Sequence, residues 1–585
     1  MSRSKHGVEV QTGEGSDQTL PTDRRVDRRN FLRHMTAITA AAGVGGLGAT
    51  WHASPLDAAT GIRSSRPTVG EIRATRLIDM TAAETAEAIR RGDTSALEVA
   101  EACLARIDQF DELYMAFNTV NPDALRAAAR AADANPGPGL LHGVPLAIKD
   151  NYYTAGVLTT ANSHIFADFV PEYDAEAWAR LKGQGALLVG KTQMGPLATS
   201  AATTPDGEAT TRNAWAPNDR SVSPGGSSSG SATSVAAGMA ASATGTQTGG
   251  SITGPSNSQG LTGLKPTMGR VSLRGIIPLT YTRDHPGPLA RDARDAALMM
   301  QVMAGPDPAD PRTLGLPAVP DLVTAAEPVR TGGNVRLRWP TRIGVIPGYL
   351  DGPSDTPPDA PGADASDEDR QRYERTLSFR TQQEASAASR RSMLDTYREL
   401  GAEIVEVELP EDWDTLTNGS FNNVRLPERA EPFMEVLRED VRKFGVSLSP
   451  WINGLLMPGT EYLRGQRAKL LLLRRVLDDL FAQCDVVVQT SPVPFDIIGL
   501  PEIAFPIGMT SEDGAAGHTL PVGTIFGGQP FAEDRLLSLV GAYQAVTDWH
   551  QRRPADPAVD SRGRPEQPQG PNPRIDLETV MEVCE

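Results

Sequence analysis

Short apolar strands alternate with helices along this chain, and that alternation constrains its fold more than any other feature of the sequence. The segment GVPLAIKDN (143–151) has the character of a strand that ends at Lys149, and the helical stretch AEAWARLKGQ (175–184) leads into a second strand, GALLVGKTQM (185–194). Strands that alternate with helices are typical of sheets whose two faces are both covered. We therefore predict an α/β fold: one large domain with a central mixed, mostly parallel sheet and helices on both faces.

Helix starts are marked by two capping-box patterns, in which a Ser or Thr is followed three residues later by Glu. They are Thr81-Ala-Ala-Glu84 and Ser95-Ala-Leu-Glu98, and apolar residues repeat at helical spacing after the second. Both segments are predicted to be scaffold helices.

The domain organisation follows from shifts in composition. Residues 75–553 are predicted to form the domain, residues 1–59 a signal and flexible N-terminus, and residues 554–585, which are rich in proline and polar side chains, a disordered tail. The segment DGPSDTPPDAPGADASDEDRQ (351–371) is acidic and rich in proline, so we expect a solvated insertion without a core.

The N-terminus has the pattern of an export signal. Arg28 and Arg29 precede a weakly hydrophobic run that extends to about residue 50, and this resembles a twin-arginine signal. The alternative is an ordinary first helix with a basic start. We expect export to the periplasm or the exterior, with cleavage between Ala49 and Ala59.

Composition excludes several classes of partner. The net charge of −17 disfavours nucleic acid and anionic membranes, and no segment after the signal is long and apolar enough to span a bilayer. The three cysteines lie far apart, and the histidines lack the spacing of metal ligands. A small-molecule substrate is therefore expected, with no metal; the oligomeric state stays open.

The segment GGSSSGSATSVAAGMAASATGTQTGGSITGPS (225–256) is the centre of the chain. It reads as a Gly-Ser loop, a helix of very small residues, a strand, and a turn that presents Ser251. By itself, Ser251 could be an ordinary turn residue, or a nucleophile whose glycine neighbours let a substrate approach the backbone.

A run of motifs in one order resembles the amidase signature family over about residues 75–553. The motifs are GVPLAIKDN, GKTQMGPLATSAATTPDG, TRNAW, the segment 225–256, GLKPTMGRVS, DHPGPLAR and VTDWHQRRP. The resemblance implies a Ser-Ser-Lys catalytic triad of Lys149, Ser227 and Ser251, a cis peptide bond at Ser227, and no metal or organic cofactor.

The chemistry that the resemblance implies makes definite demands on these residues. A serine needs a base within hydrogen-bond reach, and a lysine serves as that base only when burial lowers its pKa. Ser227 would relay the proton from Ser251 to Lys149. Backbone N–H groups at Thr248, Gly249 and Gly250 are predicted to hold the oxyanion.

The chain departs from the family pattern beside the nucleophile. The family usually has an aspartate and an arginine where this chain has Gln247 and Thr253. Because both charges are missing together, neither is left as an unpaired buried charge, and we interpret the double change as a compensated core substitution.

Other polar residues near the motifs have two interpretations each. Asp150 tunes Lys149 or supports its loop, and the latter is more common. Ser228 and Ser229 position Ser227 or cap the next helix. Asp284 acts at most behind the residues that touch substrate.

The leading function is a secreted amidase that cleaves a carbon–nitrogen amide bond through a Ser251 acyl-enzyme and releases carboxylate and ammonia or amine. Residues 306–480 are expected to supply the substrate surface, with Phe421 and Trp451 as substrate-binding candidates or core residues.

Three alternatives remain open. Ester or carbamate hydrolysis would use the same triad. A glutamine-hydrolysing transamidation subunit has a similar signature, but an export signal disfavours cytosolic partners. A non-catalytic binding protein is disfavoured because Lys149, Ser227 and Ser251 are all present.

Overall fold

The computed structural model describes residues 72, 74–353, 359–362, 366–510, 518–560 and 563–565. The predicted twin-arginine signal, its cleavage site and the tail beyond residue 565 lie outside the described residues. In the described part of the chain, no helix is long and apolar enough to cross a membrane.

Both predicted capping boxes are present, and each begins a helix. The Thr81 hydroxyl accepts from the backbone N–H of Glu84, whose carboxylate accepts from the N–H of Thr81, and Ser95 and Glu98 repeat this exchange. The chain order of the α-helices is α1 Ala82–Arg91, α2 Ala96–Tyr114, α3 Pro122–Ala134, α4 Glu176–Gly183, α5 Ser229–Ala236, α6 Thr253–Gln259, α7 Ala293–Met303, α8 Leu322–Ala326, α9 Asp367–Leu400, α10 Trp413–Thr417, α11 Gly419–Asn423, α12 Leu426–Ala430, α13 Met434–Glu439, α14 Leu448–Leu456, α15 Gly459–Arg475, α16 Phe481–Gln483, α17 Val493–Ile498 and α18 Glu533–Gln544.

The strands form one large mixed sheet and a separate two-stranded sheet. The strands are β1 Phe117–Val120, β2 Pro145–Lys149, β3 Leu187–Thr192, β4 Ser242–Gln247, β5 Thr262–Lys265, β6 His285–Ala290, β7 Val329–Thr331, β8 Asn334–Arg336, β9 Arg342–Val345, β10 Glu403–Glu406, β11 Val486–Gln489, β12 Glu502–Met509 and β13 Pro521–Gly528. The large sheet has the order β1-β3-β2-β4-β6-β5-β12-β13-β11-β9-β10, and β7 pairs with β8.

The prediction of a single large α/β domain around a mixed sheet is confirmed. Parallel pairing is concentrated in two blocks, β3-β2-β4 and β11-β9-β10. The strands between these blocks pair antiparallel, so parallel pairing covers less of the sheet than the sequence pattern indicates. Every residue of β2, β4 and β6 is buried, which requires cover on both faces of the sheet.

Two segments differ from the predicted boundaries. Helix α9 begins inside the acidic insertion, at Asp367, because the Ser366 hydroxyl accepts from the N–H of Asp369 and caps it. The tail is attached at its start, since Asp556 lies 3.0 Å from an Arg76 guanidinium nitrogen and 2.6 Å from one of Arg106.

The parallel pair β2 and β4 brings two predicted site residues to one edge of the sheet. Leu146 is paired with Ser242 and Ala147 with Ala243, so Lys149 at the end of β2 lies level with the last residues of β4. The turn that carries Ser251 follows β4 directly. Neighbouring parallel strands thus place the lysine and the turn together at their carboxyl ends.

Candidate active site

Lys149 is completely buried at the end of β2, and its amine contacts only uncharged oxygens. Nζ lies 2.9 Å from Ser227 Oγ, 2.9 Å from Thr246 Oγ1 and 3.3 Å from the carbonyl oxygen of Thr246. No salt bridge to Lys149 forms within the described ranges, so the amine has no anion in contact to hold its proton.

Burial therefore lowers the pKa of Lys149 from 10.5 to about 7, although the charge of Asp284 acts in the opposite direction. A substantial fraction of the amine is neutral at neutral pH. Nζ can then accept a proton from the Ser227 hydroxyl at 2.9 Å. The arrangement meets the requirement for a lysine base.

Ser227 is held by a loop that packs tightly on its neighbours. The Gly226–Ser227 peptide bond is cis, as the family resemblance implies. A Cβ on Gly226 would lie 2.4 Å from Ala201 Cα, so this position requires glycine. The carbonyl of Ser227 accepts from the N–H of Gly195 at 3.2 Å, which fixes the hydroxyl beside the lysine.

Ser251 lies in the turn between β4 and α6, with 9% of its surface exposed. Its Oγ has no hydrogen-bond partner among the residues that the structure describes. Its carbonyl accepts from the Ser228 hydroxyl at 2.5 Å, which joins the nucleophile turn to the Ser227 loop. Ser251 Oγ is therefore uncommitted, while its backbone is fixed.

The three predicted oxyanion donors differ in their surroundings. Gly249 borders open space, since a Cβ there would meet no atom within 4 Å. The Thr248 hydroxyl donates to Asp284, which fixes the turn. Gly250 differs from the prediction: its N–H donates to Asp496 Oδ2 at 2.8 Å and is committed to that carboxylate. No sequence pattern indicates this contact, because Asp496 is 246 residues away.

Gln247 occupies the position of the family's aspartate and uses both ends of its amide. Its oxygen accepts from the N–H groups of Ile252 and Thr253, at 2.8 and 2.9 Å. Its nitrogen donates to Asp496 Oδ1 at 2.9 Å and to Glu502 Oε2 at 3.1 Å. Gln247 thus links the nucleophile turn to a buried pair of acids.

Lys265 is the cation of this buried cluster. Its Nζ lies 3.2 Å from Glu502 and 3.5 Å from Asp496, and all three side chains are fully buried. Burial raises the pKa of both acids, and the charge of Lys265 opposes the rise. The cluster supports the turn from below rather than facing the nucleophile's hydroxyl.

Asp150 supports the loop that follows Lys149 and does not bond to the lysine amine. It accepts from the Thr160 hydroxyl at 2.6 Å and from Asn118 at 2.9 Å, and Lys191 Nζ lies 3.3 Å away. Ser228 and Ser229 likewise tie loops together rather than capping α5: the Ser229 hydroxyl donates to the carbonyl of Gly225.

The two substrate-binding candidates are not brought to the triad by any hydrogen bond or ring contact in the described ranges. Trp451 is 0% exposed and packs edge-on against Phe433, with ring centroids 6.2 Å apart, and against Phe444 at 5.7 Å. It is a core residue, so the prediction of a substrate contact is wrong for Trp451. Phe421 lies half-buried in α11.

Thr246 was missed by sequence reasoning although a signal existed. Side chains alternate along a strand, so Thr244, Thr246 and Thr248 share one face of β4 and the turn after it. Thr244 accepts from the backbone N–H of Lys149, and Thr246 accepts from its amine. The repeat of threonine at every second position marks the side of β4 that faces the lysine.

In the part of the chain that the structure describes, no group of His, Cys, Asp and Glu side chains is arranged to hold a metal ion. The site's polar atoms are hydroxyls, backbone amides and one buried amine.

Comparison with known proteins places this geometry in a family. The model of the family described as Amidase matches residues 98–352. A glutamyl-tRNA(Gln) amidotransferase subunit of Roseiflexus sp. (strain RS-1) is 34% identical over 530 residues, which are 82% of this chain and 99% of that protein.

Two solved structures have the same overall fold. Native peptide amidase from Stenotrophomonas maltophilia is 27% identical, with a TM-score of 0.65 over 81% of this chain and 98% of that chain. A member of a vestigial protein complex, which reveals the evolutionary origins of an s-triazine catabolic enzyme, is 28% identical with a TM-score of 0.65 over 80% and 98%.

Proposed function

The chain belongs to the amidase signature family and is a hydrolase of carbon–nitrogen amide bonds, and we propose that it acts through an acyl-enzyme on Ser251 with Ser227 and Lys149 as the proton relay. The observation that carries the proposal is the buried Lys149 amine, 2.9 Å from Ser227 Oγ, beside a turn that leaves Ser251 Oγ uncommitted.

In the first step, the Ser251 hydroxyl gives its proton to Ser227 Oγ as the Ser227 proton moves to the neutral Lys149 Nζ. Ser251 Oγ forms a bond to the carbonyl carbon, and the electron pair of the C=O bond moves to the oxygen. The N–H groups of Thr248 and Gly249 are the proposed oxyanion donors, because the N–H of Gly250 is bonded to Asp496.

The second half of the reaction returns the proton and frees the enzyme. The tetrahedral intermediate collapses, the C–N bond breaks, and the leaving nitrogen takes a proton from the Lys149 ammonium through Ser227. Water then attacks the acyl-enzyme with the same relay as base and releases the carboxylate. Ester and carbamate carbonyls could enter the same steps.

Labelling by a serine-directed fluorophosphonate, located by mass spectrometry, tests the proposal. We expect Ser251 to be labelled in the wild type and labelling to fall sharply in Ser251→Ala, Ser227→Ala and Lys149→Ala. Ser221→Ala, an exposed loop serine, is the matched control and should be labelled like the wild type. Absence of labelling on the folded wild type would exclude the mechanism and favour a binding role.

A second candidate is the glutamine-hydrolysing component of a transamidation complex. It is supported by the match to the glutamyl-tRNA(Gln) amidotransferase protein of Roseiflexus over 99% of that protein. Purification with tagged partner candidates and a glutaminase assay distinguishes it: glutamine hydrolysis that depends on a second protein would favour this role over that of an independent amidase.

Export by the twin-arginine route stays part of the proposal, and it is supported by Arg28, Arg29 and the weakly hydrophobic run after them. Fusion of residues 1–59 to a folded reporter tests it. The reporter should be exported, and Arg28→Lys together with Arg29→Lys should retain it in the cytoplasm. Unchanged export in the double variant would contradict the assignment.

A further inference from the structure

Four cationic side chains gather on the far side of the nucleophile turn, and they play no part in the proposed relay. This cationic cluster consists of Arg283, Arg425, Arg429 and Lys469. Arg283, Arg429 and Lys469 are 3%, 7% and 7% exposed, so three of the four charges are buried. They come from the loop before β6 and from helices α12 and α15 and the residue preceding α12.

None of these four cations has a carboxylate within salt-bridge distance among the described residues. Arg283 donates to the side-chain oxygen of Asn422, and Arg425 donates to the backbone oxygen of the same residue. Lys469 Nζ donates to the carbonyl oxygen of Thr282 at 2.7 Å. Neutral acceptors therefore take the place that anions usually hold beside buried cations.

Arg429 is the most exceptional member. Its Nε is buried without a hydrogen-bond partner in the described structure, and no hydrogen bond or ion pair forms on the rest of its guanidinium. The guanidinium carbon lies 5.9 Å from the ring centre of Trp451, whose own indole N–H is also buried without a partner. Two buried donors in one place thus lack an acceptor from the protein.

The carboxylates of this region are all committed to other donors. Glu428 accepts from the Thr282 N–H at 2.8 Å and from the hydroxyls of Thr282 and Tyr462, at 2.9 and 3.1 Å. Asp284 accepts from Thr248 and two backbone N–H groups, and Asp496 accepts from Gln247 and Gly250. The protein supplies no anion to the cluster by direct contact.

The electrostatic consequence is a strained set of charges. Burial, together with the neighbouring Arg425, lowers the pKa of Arg283 and of Arg429 to about 9. Burial also lowers the pKa of Lys469 to about 7, and the charge of Arg283 adds to this effect. Keeping four cations together costs stability, and proteins retain such costs at sites that bind a ligand.

The cluster borders the proposed active site through two side chains. Arg283 directly precedes Asp284, which holds the Thr248 hydroxyl three residues before Ser251. Asp496, which accepts from the N–H of Gly250, interacts electrostatically with Arg283 and Arg425. An anion bound by the cluster would therefore lie beside the carbonyl that Ser251 attacks.

We propose that the cationic cluster binds a carboxylate group of the substrate, so that this enzyme selects amides that carry a free carboxylate. The inference rests on the proposed function for the position of the scissile bond. Guanidinium groups bind carboxylates through paired N–H donors, and Arg429 has these donors uncommitted.

Matched substrate pairs test the proposal. Succinanilic acid and butyranilide differ by a carboxylate in place of a methyl group on the acyl side, and N-butyrylglycine and N-ethylbutyramide differ in the same way on the amine side. We expect wild-type kcat/KM to favour the anionic member of one pair by roughly 10- to 100-fold, as for hydrogen bonds to a charged group. Equal kcat/KM in both pairs would overturn the proposal.

Variants assign the preference to the cluster. Arg429→Met should remove most of the preference and Arg429→Lys should retain part of it, while Arg464→Met is the control because Arg464 is 73% exposed on the same α15 helix as Lys469. Arg429→Met should also raise the melting temperature, since it removes a buried unpaired charge. An unchanged preference, or an equal loss for both members of a pair with a lower melting temperature, would overturn the assignment.

Direct binding separates this proposal from the proposed function. Calorimetry on Ser251→Ala should detect succinanilic acid more tightly than butyranilide even without turnover, whereas fluorophosphonate labelling reports on the nucleophile alone. Equal binding of the two would overturn the carboxylate site. Activation of butyranilide hydrolysis by sodium acetate, without a preference for succinanilic acid, would assign the cluster to a free anion and overturn its role in substrate selection.

Discussion

The hydroxyl of Thr246 offers a direct way to test whether Lys149 is the base. It is one of three oxygens around the amine, with Ser227 Oγ and the carbonyl of Thr246, and it lies 2.9 Å from Nζ. Thr246→Val removes this acceptor while keeping the side-chain shape. The ammonium form loses more than the neutral amine, so the pKa of Lys149 should fall below its present value of about 7.

The size of the shift follows from the strength of the lost contact. A hydrogen bond to a charged group contributes about 1.5 to 3 kcal/mol and one between neutral groups about 0.5 to 1.5 kcal/mol. The difference disfavours the ammonium form by about 1 kcal/mol, which lowers the pKa by a little under one unit because each unit corresponds to about 1.36 kcal/mol. The pKa of Lys149 should therefore move from about 7 to about 6.

The assay is the pH dependence of kcat/KM. Because the neutral amine is the base, kcat/KM of the wild type should rise with pH and level off above about 7. In Thr246→Val the rise should be centred about one unit lower, at a reduced plateau. Thr246→Ser keeps the oxygen and should keep the wild-type midpoint. A midpoint that stays in place or moves upward in Thr246→Val would refute Lys149 as the titrating base.

Three further predictions concern stability. Lys149→Met should be stabilising relative to the wild type near pH 7, and this advantage should shrink as pH rises from about 7 to 10.5, because a lysine with a lowered folded-state pKa gains stability over that range; urea unfolding at several pH values measures it, and a pH-independent difference would contradict the lowered pKa. Gln247→Ala should lower the free energy of unfolding by at least about 3 kcal/mol, because it strands buried donors and acceptors on both sides of the amide; a change within about 0.5 kcal/mol would show that the turn is held by other contacts. Trp451→Ala should cost about 3 to 5 kcal/mol in urea unfolding as a core truncation, and a change in KM without this loss would restore Trp451 as a substrate contact.

Local patterns of the sequence predicted what depends on near neighbours. The capping boxes at Thr81 and Ser95 formed because each needs only the residues of one helical turn. The alternation of strands and helices predicted the class of fold. The sequence could not rank β-strand neighbours, however, and the antiparallel strands between the two parallel blocks result from long-range pairing such as β5 with β12.

The candidate site divides in the same way. Lys149, Ser227 and Ser251 were singled out by their motifs, and the adjacent β2 and β4 place their loops together. Asp496 was out of reach, because its contact with Gly250 joins positions 246 residues apart. Trp451 was ambiguous because an aromatic residue in an apolar helix suits a pocket and a core equally, and only the packing against Phe433 and Phe444 decides.

Gln247 shows why the missing charged pair does not empty this site. An amide can accept at one end and donate at the other, so Gln247 accepts from the turn N–H groups, as a carboxylate at that position could, and also donates to Asp496 and Glu502. An aspartate there would lack the donor and would face two buried acids with only Lys265 to balance them. The glutamine is therefore matched to the acids beneath the turn. Since Asp496 also accepts from the N–H of Gly250, the same substitution that removes a charge at position 247 helps determine which backbone donors remain for the substrate.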